Sequence, residues 1–207
     1  GPVPKYGQPN VDSDPCPNPP GATDAGCIVS GRLSRFTVVS DGSGGLTLGG
    51  DGETVLIQAW CQQYPTHSVG SLVFGQDGKL YVSAGDGASF TFVDHGQMNN
   101  PCGDPVFEGG ALRSQDIRTS GDPLGSSGSI LRLDPITGAA ANANGNPIIA
   151  TGLRNPFRIN TRPGANNELW IGDVGWDTWE EVNVISNTTD GVIRNYGWPC
   201  YEGVARQ

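Results

Sequence analysis

A strand order that occurs twice constrains this chain more than any other feature. "GRLSRFTV" (31–38) resembles "GSILRLDP" (128–135); each alternates, with arginine on one face and Leu, Ile or Phe on the other. "TVLIQAW" (54–60) matches "PIIATGL" (147–153) as a short apolar strand. "SLVFGQDGKLYVSAGDG" (71–87) matches "FRINTRPGANNELWIGDVG" (157–175). Both read strand, Gly/Asn turn, strand, Gly-Asp, and the second runs on into "EEVNVI" (180–185). Short strands in a fixed order with turn signals between them indicate a β-propeller, whose blades are four-stranded sheets around an axis. A β-sandwich also alternates but has no reason to repeat both the order and the Gly-Asp ending.

That register predicts an all-β chain, a partial β-propeller with long loops. Strands 70–74, 79–84, 129–134 and 147–151 form one complete blade, with 70–74 innermost. The outer two strands of one blade precede it and the inner three of another follow. The total is about two blade equivalents, against roughly 4–8 in a closed ring. Residues 1–30 read as a Pro/Gly-rich extended segment and 31–207 as the partial propeller; 88–127 is a long insertion of functional or covering type. The 32 glycines, 16 prolines and 36% hydrophobic content fit many short strands joined by turns, with few helices.

The formal charge is −9 and no basic run occurs, which argues against a nucleic-acid partner. No apolar stretch is long enough to span a bilayer. The N-terminus lacks a signal-peptide h-region, so the expectation is a removed leader or a chain cut from a longer one. Cysteines stand at 16, 27, 61, 102 and 200, without a Cys-x-x-Cys and without zinc spacing to His67 or His95. Disulfides in an oxidising compartment are favoured over scattered thiols: Cys16–Cys27 across the Pro-rich loop and Cys61–Cys102 between loops flanking the strand pair, with Cys200 left over. Sequence does not fix that connectivity. Asn187-Thr188-Thr189 is an N-glycosylation sequon.

His67 precedes the innermost strand of the complete blade, and the matching loop in the second copy is "GLRNPF" (152–157). Corresponding loops of neighbouring blades emerge on one face near the axis, so His67 and the Arg154-Asn155 pair are expected in one funnel. The competing reading of His67 is a packing residue at a strand entrance.

"HSVGSLVFGQDGKLYVSAGDG" (67–87), "GLRNPFRI" (152–159), "LWIGDVGWDTWEEVNVI" (169–185) and "NYGWP" (195–199), in that order, resemble the soluble quinoprotein sugar dehydrogenases, glucose/sorbosone dehydrogenase-like. These are six-bladed propellers that oxidise aldoses with pyrroloquinoline quinone (PQQ) and calcium. The resemblance covers residues 31–203, about half of the family's domain. It implies that His67 is the general base for the sugar C1 hydroxyl, with imidazole's ordinary titration range near neutrality suiting the task. It implies that Arg154 and Asn155 hold the quinone oxygens, with Arg154 offsetting charge during hydride transfer. It places the carbonyls that hold a catalytic calcium on Gly175 and Trp176, with tryptophan where the family has proline. It places a structural calcium on Glu181 and Tyr196, at a longer separation than in the family because of extra residues around 186–194. Glu180-Glu181 reads equally as a solvated acidic pair. Trp170, Trp176, Trp179 and Trp198 read as packing residues, or in part as a sugar platform.

The resemblance further implies a secreted or periplasmic protein, a small sugar substrate, an electron acceptor, and blades of the parent chain beyond residue 207. Those blades carry basic residues that grip the cofactor, so residues 1–207 alone are expected to bind PQQ poorly and turn over no sugar. The alternative is a non-catalytic propeller that binds carbohydrate or protein. A hydrolase is disfavoured by the lack of a Gly-x-Ser-x-Gly elbow. A nicotinamide site is disfavoured because "GDGASF" (85–90) lacks the last glycine of its motif.

Overall fold

A computed structural model describes residues 29–64, 66–89, 92–97, 102–118, 125–165 and 167–207. The expected Cys16–Cys27 bridge and most of the Pro/Gly-rich segment lie outside the described residues. The strands are β1 (Val29–Ser40), β2 (Leu46–Gln62), β3 (Val69–Phe74), β4 (Leu80–Ala84), β5 (Ser129–Leu133), β6 (Ile148–Thr151), β7 (Pro156–Thr161), β8 (Leu169–Asp173), β9 (Glu181–Ile185), β10 (Arg194–Asn195), β11 (Tyr201–Glu202) and β12 (Ala205–Arg206). A 3₁₀ helix, Gly110–Arg118, lies among the described residues of the long insertion.

β3 to β6 pair antiparallel in sequence order, as the repeat predicts for the complete blade. β7, β8 and β9 form the inner three strands of the second blade. β1 and β2 form a separate hairpin whose register shifts three times. One pairing was not expected. β10 adds to β6 in parallel, Arg194 opposite Ala150 and Asn195 opposite Thr151. A strand that short carries no readable period. The result is a partial β-propeller.

β4 shows why these residues form a central strand. "LYVSA" is buried along its whole length, and its side chains alternate between two cores. Leu80, Val82 and Ala84 join Leu131, Leu133 and Ile148 beneath Leu33 and Trp60 of the hairpin. Tyr81 faces the other way, into a core of Ile130, Ile149 and Leu153 with Ile159, Leu169, Ile171 and Ile185 of the second blade. This second core joins the two blades. It sets β3 beside β7, where Ile159 donates its backbone N–H to Ser71 Oγ at 3.3 Å. The entry turns of the two blades, before β3 and before β7, are thereby brought together. The opposite face of β8 and β9 leaves Trp170 42% and Val182 70% exposed; in a propeller ring that face meets the next blade. Among the described residues no helix is long and apolar enough to cross a membrane.

Candidate functional site

The turn before β3 holds His67 in a left-handed backbone conformation, φ 49°. For a residue with a Cβ this costs about 1–2 kcal/mol, so the surrounding contacts must enforce it. Gln62 Nε2 donates to the His67 carbonyl at 3.2 Å. Gly85 packs beneath: a Cβ there would stand 2.3 Å from that carbonyl oxygen and 2.7 Å from His67 Cβ. The Cys61–Cys102 disulfide ties the end of β2 to the insertion, as the sequence reading expected.

The imidazole is buried and engaged on one side only. His67 Nδ1 lies 2.8 Å from Asp86 Oδ1. Asp86 is itself fully buried. Its Oδ1 also accepts the Ala88 N–H at 3.0 Å, and its Oδ2 accepts Trp198 Nε1–H at 2.8 Å. Burial pushes the Asp86 carboxyl up, but His67, the Ala88 N–H and the Arg154 charge outweigh it and hold the group below its ordinary value. An ionised carboxylate only accepts, so the hydrogen-bond network assigns the proton to Nδ1 and leaves Nε2 as an acceptor. Nε2 has no partner among the described residues.

The turn before β7 is tethered by the matching carboxylate of the second blade. Asp173 Oδ2 accepts the Arg154 N–H at 3.0 Å and its Oδ1 accepts the Asn155 N–H at 2.7 Å. Burial dominates at Asp173 and pushes its carboxyl up to about 7, with these two donors opposing. The Arg154 guanidinium lies 5.5 Å from the ring centres of both Trp176 and Trp198. Its Nη1 donates to the carbonyls of Gly175 at 2.7 Å and Val174 at 3.2 Å. Burial lowers the Arg154 pKa, while Asp86, Asp173, Glu202 and Glu180 act in the opposite sense.

The two turns form one cluster. The Asp86 N–H donates to the Arg154 carbonyl at 2.8 Å, and Trp198 touches both Asp86 and the guanidinium. Two further polar groups in it are left without protein partners among the described residues. Arg154 Nε is buried and unpaired. The half-buried Asn155 amide makes no side-chain hydrogen bond among the described residues. An orphaned cationic donor beside two indole rings and an imidazole with a free acceptor suits an anionic, oxygen-rich ligand.

The remaining expected ligands are differently engaged. The Gly175 carbonyl faces the guanidinium. The turn after it closes on the buried Glu202: Oε1 accepts the N–H groups of Trp176, Asp177 (2.9 Å), Thr178 (3.3 Å) and Trp179 (3.4 Å). Glu202 lines a cavity of about 110 Å³ with Gly175, Trp176, Asp177 and Glu180. Glu181 accepts the Gly203 N–H at 2.6 Å on one oxygen and Asn183 Nδ2–H at 3.0 Å on the other. The Tyr196 hydroxyl donates to the Val184 carbonyl at 3.1 Å. As arranged, the Gly175 carbonyl does not fit a calcium ion: it accepts from the Arg154 guanidinium, whose positive charge would stand beside the cation. Among the described residues no three His, Cys, Asp or Glu side chains converge as a metal site.

Sequence reasoning did not single out Asp86, Trp198 as a bridge, or Glu202. Asp86 had a signal, the Gly-Asp that closes the hairpin in both copies. Glu202 had none, because it acts from a two-residue strand.

Residues 35–205 match the glucose/sorbosone dehydrogenase family. The chain belongs to that family. HIPL2 protein of Arabidopsis thaliana is 32% identical over 94% of this chain, which spans 27% of that protein. The PQQ-bound aldose sugar dehydrogenase of Streptomyces coelicolor is 23% identical with a TM-score of 0.55, over 86% of this chain and 45% of that one. A putative oxidoreductase (glucose dehydrogenase) of Thermus thermophilus is 25% identical with a TM-score of 0.50, over 85% of this chain and 48% of that one. The chain thus spans about a quarter of this curated relative and just under half of the solved structures.

Proposed function

We propose that this chain is part of a PQQ-dependent oxidoreductase that oxidises the C1 hydroxyl of an aldose, with His67 as general base. The observation that carries this is the His67–Asp86 pair, whose free Nε2 sits in one cluster with an orphaned buried arginine donor. Bound PQQ supplies a quinone that accepts a hydride. His67 Nε2 takes the C1 hydroxyl proton as the C1 hydrogen departs with its electron pair, so the hemiacetal carbon becomes a lactone carbonyl. Asp86 holds the imidazole in the tautomer this needs and favours the imidazolium that forms. Arg154, with its spare Nε and the Asn155 amide beside it, binds ligand oxygens and offsets negative charge that grows on them. Trp176 and Trp198 steady the guanidinium through cation–π contact. No step is assigned to calcium.

The test uses the parent protein that contains these residues. Loaded with PQQ and given a panel of aldoses and a reducible dye, it should turn over, and His67→Ala should lower kcat by roughly 10²–10⁴-fold. Absence of dye reduction at saturating PQQ, with the fold intact, overturns the reading in favour of a carbohydrate- or protein-binding module.

A further inference from the structure

The turn between β9 and β10 carries the only Asn-x-Ser/Thr triplet in the 207 residues, Asn187-Thr188-Thr189, and nothing in the reaction above uses it. We infer that Asn187 is an acceptor site for an N-linked oligosaccharide.

The turn is built with its middle residue inside and its two functional residues outside. Thr188 is buried, with its hydroxyl 2.7 Å from the Tyr81 hydroxyl and its N–H donating to the Asn167 carbonyl at 2.9 Å. Asn187 and Thr189 are exposed. Asn187 Oδ1 accepts the Thr189 N–H at 3.0 Å and its Oγ1–H at 2.8 Å. The amide oxygen is therefore occupied, while Nδ2 has no partner among the described residues. This is the polarity the chemistry requires. Nδ2 attacks the anomeric carbon of a lipid-pyrophosphate-linked oligosaccharide. A C–N bond forms, the C–O bond to pyrophosphate breaks, and one Nδ2 proton is lost.

The position suits a permanent glycan. The turn leads into β10, at the edge of the five-stranded sheet opposite β3. A sugar rooted there stands on the rim, away from the His67 turn that precedes β3. The turn is also pinned to the core through Tyr81 and Thr188, so a bulky exposed group does not require the fold to open. The Cys61–Cys102 disulfide fits an oxidising compartment, and in eukaryotic cells this transfer occurs in one.

The test is secretion of the 207-residue chain from yeast, followed by intact mass measurement. One heterogeneous mass increment is expected. Peptide N-glycosidase should remove it and leave aspartate at position 187. Asn187→Gln and Thr189→Ala should abolish it. Thr189→Ser, which keeps the hydroxyl, should retain it, and this separates loss of the acceptor from loss of the fold. A secreted, disulfide-bonded wild-type chain of unmodified mass overturns the inference, as does an increment that survives Asn187→Gln.

Discussion

Asp86 Oδ1 lies 2.8 Å from His67 Nδ1, and Asp173, at the matching place in the next blade, holds the N–H groups of Arg154 and Asn155. Each Gly-Asp closing a hairpin thus tethers the entry turn of its own blade. One tethers through a side chain and the other through the backbone, and the two turns meet where Asp86 bonds Arg154. Asp86→Asn keeps the shape but offers an amide in place of an acceptor-only carboxylate. It should favour the other His67 tautomer and, under the proposed function, lower kcat of the parent protein by roughly 10²–10⁴-fold. In the 207-residue chain, ¹⁵N chemical shifts of His67 report the change without any turnover. A wild-type tautomer pattern in Asp86→Asn would remove Asp86 from its positioning role.

Asp173 sets a pH dependence. Its carboxyl ionises near its ordinary 3.8 in the unfolded chain and at about 7 in the folded one. Between those values the folded state binds the extra proton, so stability should fall as pH rises from about 4 to about 7, by an amount on the order of 2–4 kcal/mol. Asp86 acts in a different window. Its lowered value contributes stability above the ordinary carboxylate range, which is lost as pH falls through its folded value. Urea midpoints across pH 4–8 should show the slope in wild type and lose most of it in Asp173→Asn.

The blades were legible because their strands obey period two between two cores: Leu80, Val82 and Ala84 face one, and Tyr81 faces the other. The meeting of His67 with the Arg154 turn was legible because the repeat fixes which loops correspond. β10 and β11 were not, since two residues carry no period, and with β11 went Glu202. The engagement of Gly175 by Arg154 was equally hidden, because a backbone carbonyl leaves no mark in the sequence.

Glu202 supplies a sharper test of that hidden part. Burial pushes its carboxyl up, but the backbone N–H groups of 176–179 hold it below its ordinary value. Its carboxylate is the internal anion that seats the turn carrying Trp176. Glu202→Gln should cost about 1–3 kcal/mol through weakened charge-assisted bonds. Calcium and a chelator should both leave the wild-type melting temperature unchanged. A rise of several degrees with calcium would show that carboxylate oxygens of this turn leave their N–H donors for the ion.

The Cys61–Cys102 bridge closes a loop across 41 residues of sequence. Chain-entropy reasoning gives it roughly 2–4 kcal/mol. Cys102→Ser should lower the denaturation midpoint accordingly, and a reductant should cost wild type more than it costs the variant.

Gly85 is where the fold and the site are hardest to separate, and one methyl group tests the connection. A Cβ at this position meets His67 backbone atoms at 2.3 and 2.7 Å, not the end of a flexible chain. No rotamer change relieves that contact, so the His67 turn must move away from the Gly85-Asp86 segment. Gly85→Ala should therefore cost about 1–3 kcal/mol as overpacking and stretch the bond that fixes the imidazole. Gly50→Ala serves as the control, since a Cβ there meets nothing within 4 Å, and it should leave stability within about 0.5 kcal/mol of wild type. Thermal melts compare the two variants, and the His67 ¹⁵N signature separates them further. Gly85→Ala should lose the Nδ1–H pattern while Gly50→Ala keeps it. Equal melts and equal signatures would mean that the turn is not held against Gly85, and the left-handed His67 conformation would then need another cause.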